Sequence, residues 1–487
     1  MSLEHSRQLK LAELVSGKTR SDLEQHLAAA TVAVSVDPDT PLACLTGRVL
    51  LTTLRRGPGT LILLADGASP RFIAEMEEVT AAIDPQRPLQ VVRSSGPLPA
   101  GTIPVHVGVR TTRRSIRIVP EGYGAHVATV TTAVIRPRRP GNPLGAIYAA
   151  ALGAAEIFKH TAAVVPSRRV LQRHLRFCPV TLSSNLSAAP DLPAGITLDL
   201  SLIGVGAIGT GIALLLDALP AEGRIVALDR QRFARENLGT YSLGGVADVD
   251  AARWKVELAV AALRRFDVLP VHEPVEQLIG AVDRGELPWT PTVLTALDSP
   301  EARRDAQRLW PDRLIDAATG DTMLGLYDHR HGVDPCMWCV FPVDRAGPSG
   351  AEAVAEQLGI APEVLADAGA LLTEEHLRGK TEAQQRLLRP HLGTPMCGLA
   401  RATGLSNLDS DEFMPSVPFV SLQAACLSIG RLIAAYQGTA PSANLVQYDG
   451  LFGPQAATRE MMRRRDGCLC SVRAASIAGV RERRRQK

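Results

Sequence analysis

The sequence lacks a long uninterrupted apolar run. Its most apolar helical segments, residues 144–158 and 417–435, are short or carry polar residues, so no membrane span is expected. The opening residues Met1-Ser2-Leu3-Glu4-His5-Ser6-Arg7 are polar and contain no apolar signal core, which leads us to expect a cytoplasmic location. Charge of one sign is also missing. Lys and Arg number 53 against 50 Asp and Glu, leaving +3, so no global field argues for a nucleic-acid partner. The local exception is the basic tail 481–487, which reads as a frayed, solvated end. Cysteine is too sparse for a disulfide framework: eight in 487 residues, clustered as metal or thiol chemistry in a reducing compartment would have them. The first half also lacks any phosphate-binding glycine loop.

What is present is ordinary in bulk. A hydrophobic content of 46% suits a globular protein, and 487 residues are too many for one core, so two or three domains are expected. The organising stretch is Leu200-Ser201-Leu202-Ile203-Gly204-Val205-Gly206-Ala207-Ile208-Gly209. An apolar run enters a G-x-G-x-x-G, a helical run leaves it, and Arg224-Ile225-Val226-Ala227-Leu228 forms a second strand ending on Asp229. Strand, loop, helix, strand and acid in this order are the context of a dinucleotide- or nucleotide-binding loop, the alternative being an α/β turn with incidental glycines. Gly204 permits the tight turn, Gly206 lets backbone approach a phosphate, and Gly209 packs helix on strand. The helix N-terminus offers N–H groups to an anion. Asp229 can accept hydrogen bonds from ribose hydroxyls.

Along the chain, 6–30 reads as helical and 31–36 as a strand, followed by the turn Asp37-Pro38-Asp39-Thr40-Pro41. Residues 49–54 and 60–64 are β-capable runs, 71–83 a helix, and 91–92 and 103–107 short strands. Pro143 opens a long helix to about His160. Alternation of strands and helices predicts a parallel α/β domain. Ser, Asn, Ala, Pro and Asp over 183–194 mark a linker. Beyond Asp229, residues 251–266 read as a helix carrying Lys255, and 292–297 as a strand ending before Asp298. Residues 314–317 and 323–327 are short strands. From 350 to 389 the composition turns to Ala, Glu, Leu and Gln with helical spacing, and 415–436 returns to an apolar helix.

Asp229, Asn237, Lys255 and Asp298 follow the glycine loop at the ends of predicted elements. These are the types an adenylation site needs: a carboxylate for ribose, a lysine against phosphates, and an acid able to hold Mg²⁺. Cys336-x-x-Cys339 and Cys468-x-Cys470 form two pairs on loop-like sequence. They can close a tetrahedral zinc site, remain free thiols, or serve redox chemistry. Cys397 stands apart, following Thr394-Pro395-Met396. Cys44, Cys178 and Cys426 sit in apolar surroundings and read as core.

With these residues assembled, the chain resembles the ubiquitin-activating, ThiF-like adenylating enzymes. The family's glycine loop matches Gly204, Gly206 and Gly209, its ribose acid Asp229, its Asn-Leu Asn237-Leu238, its helix lysine Lys255 and its metal-site aspartate Asp298. Its paired zinc cysteines match Cys336, Cys339, Cys468 and Cys470, and its returning helix the run after Pro415-Ser416-Val417. Ser6-Arg7-Gln8-Leu9 is similar to the family's start, where Arg7 would be the arginine reaching a partner subunit's triphosphate. Two positions depart: Thr240 replaces an arginine and Gln231 a second acid. The glycine-less 36–42 turn resembles the inactive half of two-domain activators.

The resemblance implies two Rossmann-like, ThiF-type adenylation domains. Residues 1–182 would be inactive, 183–196 a linker, 197–349 with 413–487 the active ATP-binding domain with zinc, and 350–412 a helical insertion carrying Cys397 as thioester cysteine. It implies ATP, Mg²⁺ and structural Zn²⁺, a ubiquitin-like or sulfur-carrier protein as substrate, and a conjugating enzyme as partner. Three other readings compete: adenylation of a peptide, an NAD-dependent oxidoreductase, whose ribose Asp229 would suit, and a non-catalytic scaffold favoured by Thr240 and Gln231.

Overall fold

In the computed structural model the same sheet plan is built twice. The structure describes residues 5–16, 18–37, 40–93, 96–109, 114–131, 135–162, 174–186, 188–342, 351–365, 370–394, 396, 399, 403, 417–439 and 441–487. The first sheet holds β1 (Thr31–Val36), β2 (Thr60–Leu64), β3 (Gln90–Val92), β4 (Ile103–Val107), β5 (Ser115–Glu121), β6 (Gly124–Thr131) and β7 (Leu175–Phe177). Its order is β3-β2-β1-β4-β5-β6-β7. The second holds β8 (Ile196–Ile203), β9 (Ala221–Leu228), β10 (Phe266–Val271), β11 (Thr292–Thr295), β12 (Arg313–Gly320), β13 (Met323–Arg330), β14 (Leu445–Asp449) and β15 (Thr458–Glu460), in the order β10-β9-β8-β11-β12-β13-β14-β15. In each sheet the first five strands are parallel and the rest antiparallel. Both sheets are therefore Rossmann-like, with the order reversing beside β1 and beside β8, where such folds bind ligands.

Two 19-residue helices join the halves, Pro143–Thr161 and Pro418–Tyr436. Each has proline in its first turn and nearly every residue buried. Phe158 lies 5.3 Å from Phe419, and the Tyr148 and Tyr448 hydroxyls meet at 3.0 Å. Their apolar surface makes one continuous core with both sheets. The Pro418–Tyr436 helix is long and apolar enough to cross a membrane, but it is a core helix here.

Contacts divide the chain into one unit of Met1–Phe341 with Pro415–Lys487, and a second of Pro342–Met414. The second contains short helices, among them Ala351–Leu358 and Glu382–Leu388, around an apolar cluster of Val354, Leu358, Leu372, Leu377 and Leu388.

Several elements differ from the sequence reading. Residues 49–54, β-capable by composition, belong to the helix Pro41–Arg55. Ala43, Thr46, Leu50 and Thr53 are buried at helical spacing, and tertiary burial overrides the β-propensity of the run. The helix carrying Lys255 begins at Lys255 and ends at Ala262. Glu257 fixes that start by accepting the Trp254 N–H, and Phe266 already opens β10. The β5–β6 hairpin went unread. The basic tail is a helix, Ala474–Arg485, because Arg484 is drawn inside. Cys178 and Cys426 are core residues, whereas Cys44 is half-buried.

Candidate functional site

β8 ends at Ile203 and is followed by Gly204, whose φ of +91° is open to glycine. A Cβ there would lie 2.5 Å from the Ala296 carbonyl oxygen, and one on Gly209 only 2.1 Å from that of Gly204. Both glycines are therefore sterically required. A Cβ on Gly206 would meet nothing closer than the Tyr241 hydroxyl at 3.7 Å, an ordinary van der Waals contact, so this position is not crowded. The Ala207–Ala218 helix starts at Gly206 with no side chain capping it, leaving its first N–H groups to an outside acceptor. The first sheet is built differently at the equivalent place. Beyond β1, Asp37 accepts the Val109 N–H at 2.6 Å, and the next helix is closed by Thr40, which accepts the Ala43 N–H, with Pro41 following. Capped by its own side chain and lacking the Pro41 N–H, that helix has less to offer a phosphate.

Asp229 follows β9 and Asp298 follows β11, so both acids stand at the carboxyl edge beside the loop. Asp229 accepts N–H groups from Val205 at 2.8 Å and Gln231 at 2.9 Å. Burial raises its pKa, opposed by those bonds and by Lys255. Asp298 is exposed. Lys255 is buried and donates to Gln231 Oε1 at 2.6 Å, with its ammonium 5.3 Å from the Tyr241 ring centroid. Burial lowers its pKa; Asp229, Glu236 and Asp298 oppose this, and Arg7 adds to it. Arg7 also acts on Tyr241, so the Ser6–Ser16 helix brings a second cation to this site from the same chain. Asn237 is buried and closes its own turn by accepting the Ala234 N–H at 2.9 Å. Thr240 is fully buried, with its hydroxyl on the Asn237 carbonyl. Its hydroxyl is used inside the turn, and the cations beside Tyr241 are Arg7 and Lys255.

The wall of the site comes from the first half. Arg56 is 3% exposed and donates to the carbonyls of Leu238 at 2.6 Å and Gly244 at 3.2 Å. Gln8 donates to the Arg56 carbonyl at 2.9 Å and to that of Gly239 at 3.2 Å. These bonds hold the loop carrying Tyr241. Burial pushes the Arg56 guanidinium down to about 9, which leaves it charged at neutral pH. Arg56, Tyr241 and the role of Gln231 as lysine partner were missed in the sequence. Nothing local marks Arg56, since its partners lie far along the chain.

Cys336, Cys339, Cys468 and Cys470 converge, all four sulfurs lying within 4.8 Å of one another. The Cys336–Cys468 and Cys339–Cys470 distances are 3.6 Å and Cys336–Cys339 is 3.9 Å. A tetrahedral ion with about 2.3 Å metal–sulfur bonds sets edges of about 3.8 Å, which these match. The Arg465 N–H points to Cys339 at 3.5 Å. Cys336 is held above the ordinary thiol range by its bond to Cys339 and by burial. Cys397 lies outside the described residues.

No family model matches the chain, and no curated protein matches it. Among solved structures it is similar to E. coli MccB, with TM-score 0.35 and 13% identity over 56% of this chain and 64% of that one. It is also similar to the Microcin C7 biosynthetic enzyme MccB in complex with N-formylated MccA, with TM-score 0.35 and 14% identity over 57% of this chain and 67% of that one. A third is E. coli MccB with ATP, at TM-score 0.35 and 14% identity over 57% and 66%. The chain thus spans a little under two thirds of the first MccB structure. At these scores the likeness carries no argument, and the fold rests on the strand orders above.

Proposed function

We propose that the chain is an ATP-dependent adenylating enzyme acting on the C-terminal carboxylate of a ubiquitin-like or sulfur-carrier protein. The observation that carries this reading is the uncapped helix start at Gly206 with two cations, Lys255 and Arg7, near it. A substrate carboxylate oxygen attacks the α-phosphorus of ATP, the bond to the bridging oxygen of the β-phosphate breaks, and pyrophosphate leaves with the electron pair. Lys255 and Arg7 stabilise the growing charge on the phosphates. Asp229 would hold the ribose. Asp298 would hold Mg²⁺, whose contribution is charge neutralisation. Two cations beside the loop favour a triphosphate over a nicotinamide dinucleotide. The capped helix start after β1 supports one active site per chain, with the first half as its wall.

The sequence around Thr394-Pro395-Met396-Cys397 supports a second step, in which the Cys397 thiolate attacks the acyl adenylate and AMP leaves. Cys397→Ala is expected to retain carrier-dependent pyrophosphate exchange and to lose a covalent adduct that added thiol cleaves by acyl exchange. An adduct that survives the substitution removes the thioester from the proposal. Exchange supported equally by a short peptide would assign the enzyme to peptide modification.

For the cysteine cluster we infer a structural Zn²⁺, as four thiols leave no open ligand position. The chain should bind one equivalent of zinc, and Cys468→Ser should release it and lower Tm by roughly 5 °C or more. Folded protein containing no zinc after growth in zinc-supplied medium would defeat this assignment.

A further inference from the structure

A cavity of about 540 Å³ lies away from the glycine loop, under the Ala474–Arg485 helix. Trp310, Trp338, Leu469 and Ile477 line it. Arg308, Arg473, Arg483 and Lys487 line it too, against a single acid, Asp283. Asp283 is already engaged by Arg484 at 2.7 Å. Arg481 and Arg485 are spent on Asp312, and Arg308 has Asp305 at 3.6 Å. Arg473 and Arg483 are exposed and form no ion pair among the described residues. Beside them Leu469 is 40% and Val472 67% exposed.

We propose that this cleft is a docking site for an acidic segment of a protein partner, one that sets an apolar side chain into the cavity between carboxylates paired with Arg473 and Arg483. Charge complementarity selects the occupant: an anionic ligand balances Arg473 and Arg483, which form no ion pair among the described residues. The apolar lining and exposed Leu469 and Val472 favour protein over nucleic acid. Trp310 is 7% exposed and stacks on Trp338 at 5.7 Å, so the shared ring faces are turned on each other and not offered to bases. Trp310 holds a left-handed backbone, φ +47°, a strain tolerated where surrounding contacts fix the residue. The site stands independently of the adenylation reading.

The test uses the full chain and tryptophan fluorescence. The probe is a short peptide alternating Glu with Leu and Phe, compared with its Gln counterpart and with an oligothymidylate. The Glu peptide is expected to give a saturable change, weakened about tenfold or more in the double variant Arg473→Glu/Arg483→Glu, and weakened by added salt. Both positions are exposed, so the variant should keep the parent Tm. Absence of saturable binding, equal binding of the Gln peptide, an unaffected double variant, or tighter binding of the oligothymidylate each overturns the proposal.

Discussion

Lys255→Ala should reduce pyrophosphate exchange by about 10²–10³-fold while leaving the fold intact. The two effects separate for a physical reason. Burial makes the folded chain a poor host for this charge, as the lowered pKa records, so removing it relieves a desolvation cost. Its hydrogen-bond partner among the described residues, Gln231, is exposed and can turn to water. A pH effect accompanies this. A lysine whose pKa is lowered from 10.5 by burial loses its proton earlier than an ordinary lysine as pH rises. The value of kcat/KM for ATP, which reports ionisations of the free enzyme, should therefore fall on the alkaline side below pH 10.5. Lys255→Arg should remove that limb, since a guanidinium keeps its charge. An unchanged exchange rate in Lys255→Ala, with melting equal to the parent, would end the role assigned to this lysine.

Arg56→Met should destabilise the chain by about 2–4 kcal/mol, because the Leu238 and Gly244 carbonyls lose a buried charged donor. The cost of burying the guanidinium offsets part of that loss, which keeps the figure below the simple sum of two charged hydrogen bonds. In urea the midpoint should drop with m unchanged. The variant should also raise KM for ATP, since the loop bearing Tyr241 loses its two hydrogen bonds from Arg56 and keeps only that of Gln8 among those described. A loss under about 1 kcal/mol with KM unchanged would mean that this loop holds its own shape.

The parts legible in the sequence are those set by neighbours in the chain. β1 alternates in Val32, Val34 and Val36, Pro143 stands one residue after its capping Asn142, and Gly204, Gly206 and Gly209 share one turn. Residues 49–54 show the limit of such reading. Their β-branched and leucine-rich composition suits a strand, but the Thr40 cap, Pro41 and burial at helical spacing make a helix. Gln8 and Arg56 show it again, since their hydrogen bonds reach the 238–244 loop from residues far away in the chain.

The sequence by itself determined the glycine loop with its steric demand, the acid that ends the following strand, and the two cysteine pairs. Each is a short-range pattern whose geometry follows from backbone and spacing. Tertiary structure alone decided that Arg7 reaches the charges around Lys255 from within one chain, and that the cysteine pairs meet. It also turned the basic tail into a helix over a cavity with Arg473 and Arg483 on its rim. Those outcomes depend on which distant surfaces bury one another, a choice made by the assembled core.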